Sequence, residues 1–184
     1  MAQLVFLLEE LSAKALLQGL LPRLLPQETQ VQYIVFEGKH YLEKQLPKKL
    51  HGWQNRESKF IVLRDKDAAD CRMVKTRLQK LCQRIPAEKI LIRIACRELE
   101  SWYLGDLTAV ESAFNVRGIA KLQNKEKFHT PDLLNSFEEL KSLVPNYQKI
   151  SGSRAMGQAM DLQNNSSQSY QAFIKGIHKL ITSI

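Results

Sequence analysis

Four short apolar segments, separated by helix-like stretches, constrain the fold of this chain most strongly. They are residues 2–8, 30–36, 59–64 and 88–95. Their nearly continuous apolar character is typical of strands buried on both faces. The stretches between them carry apolar residues at three- and four-residue steps, which predicts helices. The order β-α-β-α-β-α-β predicts an α/β fold with a mostly parallel central sheet flanked by helices on both faces.

The helices differ in how clearly the sequence marks them. Residues 70–85 form the clearest amphipathic pattern. Ser12 is a candidate cap for the first helix, which Pro26 should end. A helix over 40–51 is also predicted, with a distortion expected at Pro47.

The last third of the chain changes character. Residues 106–115 and 131–144 are predicted to be helical, 146–154 a loop, and 163–167 a turn before a final amphipathic helix. We expect one domain over 1–184, with an α/β core over 1–104 and a mainly helical extension over 105–184 packed on it.

Charge and composition narrow the class of protein. The 184 residues carry a formal net charge of +8, which favours a polyanionic partner such as nucleic acid. No apolar run is long enough to span a bilayer, and the apolar N-terminus lacks the basic region of a signal peptide. The three cysteines show no metal-ligand spacing, so reduced thiols in a cytoplasmic protein are expected.

Carboxylates follow three of the four predicted strands. The first strand ends in Glu9 and Glu10, the third in Asp65 and Asp67, and the fourth leads to a further pair, Glu98 and Glu100. In a parallel α/β sheet, ligands bind at the carboxyl ends of the strands. Acids gathered there would repel one another, and Mg²⁺ or Mn²⁺, which bind hard oxygen ligands, would relieve that repulsion. The sequence therefore predicts a divalent-metal site at this edge.

Simpler interpretations stay open for each acid. Glu10 and Glu100 can equally be solvated surface residues. Glu98 can instead pair with Arg93 or Arg97.

Helix capping is the simpler interpretation for the aspartates. Asp65 and Asp67 can cap the helix that follows them, because carboxylates suit helix N-termini. Asp70 is better placed for that role.

These motifs resemble two known groups of proteins. A Glu that closes the first strand, in Phe6-Leu7-Leu8-Glu9, and an Asp-x-Asp that closes a later one, in Val62-Leu63-Arg64-Asp65-Lys66-Asp67, resemble the Toprim fold of topoisomerases, primases and OLD-family nucleases. Longer strings resemble a family of small bacterial proteins of unknown function. They are Leu-Glu-Glu, Phe-Glu-Gly-Lys, Leu-Arg-Asp-x-Asp, Cys-Arg-Glu-Leu-Glu-Ser-Trp-Tyr-Leu-Gly-Asp and Tyr-Gln-Lys-x-Ser-Gly. Members of that family are often encoded beside an ABC/AAA-type ATPase, in settings that suggest defence against phages or plasmids.

The resemblance implies a Mg²⁺-dependent nuclease acting on DNA or RNA. Glu9 would be a general acid/base or metal ligand, Asp65 and Asp67 would hold Mg²⁺, and Glu98 and Glu100 would resemble the extra acids that support a second metal. Toprim proteins commonly have Gly after the first-strand Glu. This chain has Glu10, a competitor for the role of Glu9.

Basic residues are candidates for contact with phosphate. They are Lys39, Arg97, Lys149 and Arg154, of which the last two flank a predicted Ser-Gly-Ser loop. The basic stretch from Lys39 to Lys59 contains Trp53 and is typical either of single-strand binding or of a solvated helix with this tryptophan in the core.

Two other functional classes fit parts of the sequence. A receiver-like phosphoacceptor would use the paired acids after the first strand and Asp65, but it leaves Asp67 and the Glu98 region unexplained. A non-catalytic Toprim-shaped subunit that regulates an ATPase partner is the second alternative. A homodimer is compatible with either.

Overall fold

The computed structural model describes residues 3–66 and 69–182. Its sheet has four strands, all parallel, in the order β2-β1-β3-β4. They are β1 (Gln3–Leu8), β2 (Gln30–Val35), β3 (Lys59–Asp65) and β4 (Ile90–Ala95). The parallel α/β sheet predicted from the apolar segments is therefore confirmed.

Eight α-helices accompany the strands in the described residues. They are α1 (Leu11–Leu24), α2 (Lys39–His51), α3 (Cys71–Leu81), α4 (Glu100–Leu104), α5 (Leu107–Phe114), α6 (Ser136–Leu143), α7 (Lys149–Ala159) and α8 (Gln168–Thr182). Short 3₁₀ turns at Ala87–Lys89, Ala120–Asn124, Glu126–His129 and Pro131–Leu133 fill several connections.

Helices cover the two faces of the sheet unequally. From β1 to β2 the chain moves toward one edge of the sheet. From β2 to β3, and again from β3 to β4, it moves toward the opposite edge. Right-handed crossovers therefore place α1 on one face and both α2 and α3 on the other. The core divides accordingly: Phe6 of β1 packs with α1, whereas Leu7 packs with α2 and α3. The three crossovers alone would leave the β3–β4 half of the α1 face bare.

The C-terminal helices cover that bare half. Helix α8 packs on β4, and α7 packs along α1. Trp102 of α4 is fully buried there against Phe173 of α8, with ring centroids 5.1 Å apart. The helical C-terminal region therefore completes the hydrophobic core on the α1 face of the sheet.

Two glycines allow α1 and α7 to approach closely. A Cβ on Gly157 would lie 2.1 Å from the carbonyl oxygen of Leu16, and one on Gly19 would lie 2.7 Å from the carbonyl carbon of Gly157. Both obstacles are backbone atoms, which no side-chain rotation can clear. A larger residue at either position must push the helices apart.

Helix α7 corrects the predicted loop over 146–154. The helix begins at Lys149, so the Ser-Gly-Ser segment lies inside it, and the amide of Gly152 donates to the carbonyl of Gln148 at 2.8 Å. Two glycines within α7, Gly152 and Gly157, lower its helix propensity, but packing on α1 overrides that preference.

Other helix ends also differ from the predictions. Glu10, not Ser12, is the N-cap residue of α1, and α2 continues through Pro47. The single helix predicted over 131–144 is a 3₁₀ turn followed by α6. The prediction for Asp70 is confirmed, since its side chain caps α3 by accepting from the amides of Arg72 and Met73.

Within residues 3–66 and 69–182, no helix has the length and apolarity needed to cross a lipid bilayer.

Substitution of Gly157 by Ala tests the helix contact. We expect Gly157→Ala to lower the free energy of unfolding by about 1–3 kcal/mol, because the added methyl group overpacks α1. Gly52→Ala is the matched control: its Cβ would lie 3.4 Å from the nearest atom, at a φ of −80° that alanine adopts readily. The control should be neutral or slightly more stable. Urea unfolding measures both, and equal stability of the two variants would contradict the close contact.

Candidate functional site

Five carboxylates lie at the carboxyl ends of three adjacent strands. Glu9 follows β1 directly, Asp65 is the last residue of β3, and Glu98 and Glu100 follow β4. Together with Glu10, they are called the acidic edge below. The predicted metal ligand Asp67 lies outside the described residues.

Asp65 lies at the electrostatic centre of the acidic edge. Side chains alternate along β3, so Asp65 shares the α1 face of the sheet with Leu63. Burial raises the pKa of Asp65 well above its usual range, and the negative charges of Glu100, Glu9 and Glu10 raise it further. Lys149 lowers it only in part. The carboxyl group of Asp65 therefore holds its proton more tightly than a solvated aspartate.

Glu100 is fixed by a hydrogen bond from the C-terminal region. Its side chain is buried, and the Tyr147 hydroxyl donates to Oε1 at 2.8 Å. Burial raises the pKa of Glu100, against the opposing effects of Lys149 and of this hydrogen bond. Gly152 makes room for the tyrosine, since a Cβ there would lie 2.3 Å from the Tyr147 ring.

Lys149 supplies positive charge to the acidic edge. It is the first residue of α7, and its Nζ lies 3.7 Å from Oε2 of Glu10. Burial acts to lower the pKa of Lys149, but the charges of Glu100, Glu10 and the other acids prevail and raise it. Of the four basic candidates from the sequence, this one has a described ion pair with an acid of the edge.

A buried arginine on the opposite face of β3 was not anticipated from the sequence. Arg64 Nε lies 3.6 Å from Glu9 Oε2, and its Nη1 donates to Glu43 of α2, which also binds Arg77 of α3 at 2.9 Å. The amide of Asp65 donates to the same Glu9 oxygen at 3.3 Å. The available signal was a charged residue inside an otherwise apolar strand, because a buried charge requires a partner.

Glu98 is held by the backbone rather than by an arginine. Its Oε2 accepts from the amide of Phe137 at 3.1 Å. Arg93 instead donates to the carbonyl groups of Ala172 and Ile92. Glu98 and Arg93 therefore do not pair with each other.

The other three basic candidates have different positions from that of Lys149. Lys39 begins α2, next to Gly38, whose amide donates to the Glu9 carbonyl at 3.2 Å. Arg97 is exposed and has a left-handed φ of 68°. Arg154 is exposed on α7, about 140° around the helix axis from Lys149. Phosphate contact by any of them stays a prediction.

Two thiols border the acidic edge. The Sγ atoms of Cys71, at the start of α3, and Cys96, just after β4, are 2.9 Å apart. Both are free thiols, as is the buried Cys82. The contact links the start of α3 with the connection that leads from β4 to α4.

The described side chains do not form a ready-made metal site. Among residues 3–66 and 69–182, no three His, Cys, Asp or Glu side chains are arranged to hold an ion. The donor chemistry nevertheless suits Mg²⁺ or Mn²⁺, because the edge consists of carboxylate oxygens, and burial together with the neighbouring negative charges raises the pKa of Asp65.

The all-parallel sheet with helices on both faces defines an α/β protein that carries carboxylates at the carboxyl ends of its strands. A family model described as a domain of unknown function, DUF4276, matches residues 8–178, so the chain belongs to this family. The structure is similar to the C-terminal region of the Burkholderia pseudomallei OLD protein, with a TM-score of 0.58 and 15% identity over 98% of this chain and 97% of that one. At that identity the similarity shows the fold alone. Comparison with curated proteins gave no match.

The raised pKa of Asp65 predicts an unusual pH dependence. Since the folded state holds this proton more tightly than the unfolded state, the charge of Asp65 costs stability once the pH rises above the ordinary carboxyl pKa of about 4. We therefore expect Asp65→Asn to raise Tm at pH 7, by about 2–4 °C for each kcal/mol that the substitution adds to the free energy of unfolding. The gain should vanish near pH 3, where the wild-type carboxyl group is protonated in both states.

Asp161→Asn is a control of opposite sign. Backbone hydrogen bonds from Gln163 and Asn164 lower the pKa of Asp161, so its charge stabilises the fold at neutral pH. This variant should lose stability at pH 7, and the loss should shrink as the pH falls. Thermal unfolding across pH 3–8 measures both variants. Lower stability of Asp65→Asn at pH 7 would contradict the electrostatic account.

Proposed function

We propose that this chain is a divalent-metal-dependent nuclease of the Toprim type, with the acidic edge as its active site. One observation carries the proposal: the buried β3 carboxylate Asp65 lies beside Glu100, Glu9 and Glu10, and burial together with these charges raises its pKa well above normal. A bound cation would offset that charge, and active sites are where such perturbed groups cluster.

Asp65 would hold the metal together with Asp67, which lies outside the described residues. Glu9 and Glu100 would complete the site by moving their side chains toward the ion, because no three described carboxylates already have that arrangement. When bound, Mg²⁺ or Mn²⁺ supplies charge stabilisation at a phosphoryl group and activation of water. The basic balance of the chain, +8 overall, suits a polyanionic substrate such as DNA or RNA.

The surrounding residues have separable roles in this proposal. Tyr147 and the start of α7 hold Glu100 in place. Lys149, beside Glu10, offers a cation to the substrate phosphate. Asp65 would bind the cation in its ionised form, because a bound cation replaces the proton that the carboxyl group otherwise holds tightly.

A specific observation favours the alternative of a non-catalytic subunit. Arg64 already pairs with Glu9, and a positive charge beside a ligand competes with a metal. In that case the acidic edge would serve to bind a protein, such as the ATPase partner that the sequence resemblance suggests. Metal binding distinguishes the two functions directly.

Calorimetric titration with Mn²⁺ is the first test. We expect wild-type protein to bind the ion and to unfold at a higher Tm in its presence, whereas Asp65→Asn should lose at least about 90% of the affinity. Glu57→Gln is the control, because it removes one exposed carboxylate that is outside the acidic edge. Absence of Mn²⁺ binding by the wild-type chain would favour the non-catalytic subunit.

Cleavage assays are the second test. Labelled single-stranded and duplex DNA and RNA should be cut in Mg²⁺ or Mn²⁺ and remain intact in excess chelator. We expect Asp65→Asn and Glu100→Gln to reduce the rate by at least about 100-fold, the usual cost of removing a group that stabilises developing charge. Glu57→Gln should cut normally, and cleavage that survives Asp65→Asn would exclude the proposed site.

A further inference from the structure

Helix α3 and the turn that follows it form a strongly basic surface. Residues 71–87 contain five cations and no carboxylate. The cations, called the basic track here, are Arg72, Lys75, Arg77, Lys80 and Arg84. All five are exposed, and of these only Arg77 is ion-paired within the described residues, to Glu43. The other four charges face solvent.

The far end of the track borders a cleft at the opposite edge of the sheet from the acids. This basic cleft, of about 930 Å³, lies between the C-terminal ends of α2 and α3. Five Lys and Arg side chains line it, and none of its lining residues is Asp or Glu. The five are Lys48, Arg56, Lys80, Arg84 and Lys89.

The dipoles of the two neighbouring helices balance only part of the positive charge that lines the cleft. Cations commonly occupy the last turn of a helix, where the helix dipole places about −0.5 of an elementary charge. The two helices that end at the cleft therefore contribute about −1 against five positive charges. Lys89 donates to the carbonyl of Arg56, but none of the five side chains forms an ion pair with a carboxylate in the described part of the chain. The surplus, about +4, is therefore complementary to a polyanion.

The lining of the cleft fits an unpaired strand better than a duplex. Its volume falls within the range of about 300–1,000 Å³ that is typical of small-ligand sites, so a duplex could contact only the rim. Half-buried Trp53 forms part of the wall, held by a 2.8 Å hydrogen bond to Ser58 and an edge contact with Phe60. A fixed aromatic residue among cations is the arrangement by which proteins bind unstacked bases.

The track connects the basic cleft with the acidic edge. Asp70, the cap of α3, lies a few residues after Asp65, whereas Lys80 in the last turn lines the cleft. The eleven residues of α3 span about 16 Å. On the other side of the helix, a second cavity of about 680 Å³ is lined by Lys75 and Arg84 and again by no carboxylate.

We propose that single-stranded nucleic acid binds in the basic cleft and follows the basic track along α3 toward the acidic edge. The inference deepens the proposed function, because it names the path by which a substrate reaches the acids. Binding itself requires neither metal nor cleavage, so the two proposals can fail separately.

Fluorescence anisotropy with a labelled 20-nucleotide single strand, in excess chelator, tests the path. The full chain carrying Arg56→Gln, Lys80→Gln and Arg84→Gln should bind at least about 10-fold more weakly than wild type at 0.1 M salt. Its salt slope should fall by about 2, since each phosphate contact to a single strand contributes about 0.7. All three side chains are exposed, so the fold should tolerate the changes.

A second triple variant distinguishes the loss of contacts in the cleft from the loss of net charge. Arg117→Gln, Lys121→Gln and Lys125→Gln remove the same three charges from exposed positions in and beside the Ala120–Asn124 turn, which packs against α5. This variant should bind like wild type. Equal weakening of both triple variants, or no binding by wild type at low salt, would overturn the proposal, as would tighter binding of duplex than of single strand.

Tryptophan emission gives an independent readout of the cleft. The chain has two tryptophans, and Trp102 is fully buried, so quenching by an unlabelled strand reports on Trp53. Binding without any change in emission would place the strand elsewhere and overturn the cleft assignment. Retained binding in a chain that cannot cut would support the path and count against the nuclease.

Discussion

Parallel pairing of β1, β3 and β4 is the constraint on which both the fold and the acidic edge depend. Because the strands run in one direction, whatever follows each of them emerges at the same edge of the sheet. Glu9, Asp65 and Glu100 are therefore brought together from distant parts of the chain. Strand pairing fixes the backbone positions from which these side chains extend, so hydrophobic burial of the strands keeps mutually repelling charges at one edge.

The C-terminal helices serve the core and the acidic edge together. They cover the half of the sheet that the crossover helices leave bare, and the same packing brings Tyr147 to Glu100 and Lys149 to Glu10. Close contact of α7 with α1 through Gly157 positions the beginning of α7 at the strand ends. Loss of this contact would therefore affect the electrostatics of the edge as well as stability.

Strand alternation separates the two signs of charge. Arg64 and Asp65 are neighbours in β3, yet one faces α2 and α3 and the other faces α1 and α7. Positive charge continues along the solvent side of α3, on the same side of the sheet as Arg64, whereas the carboxylates converge at the strand ends. An acidic edge can thus coexist with a basic surface in a protein of net charge +8.

The sequence by itself determined the strands, their parallel direction and the capping of α3 by Asp70, because near-continuous apolar segments and helix caps are recognisable from adjacent residues. It also indicated that acids follow three strands. Only the tertiary structure decided that α7 is a helix despite its glycines, that Tyr147 holds Glu100, and that Arg64 joins Glu9 to α2. Those outcomes depend on which distant elements pack together, and local periodicity reports whether a residue is buried but not what it is buried against.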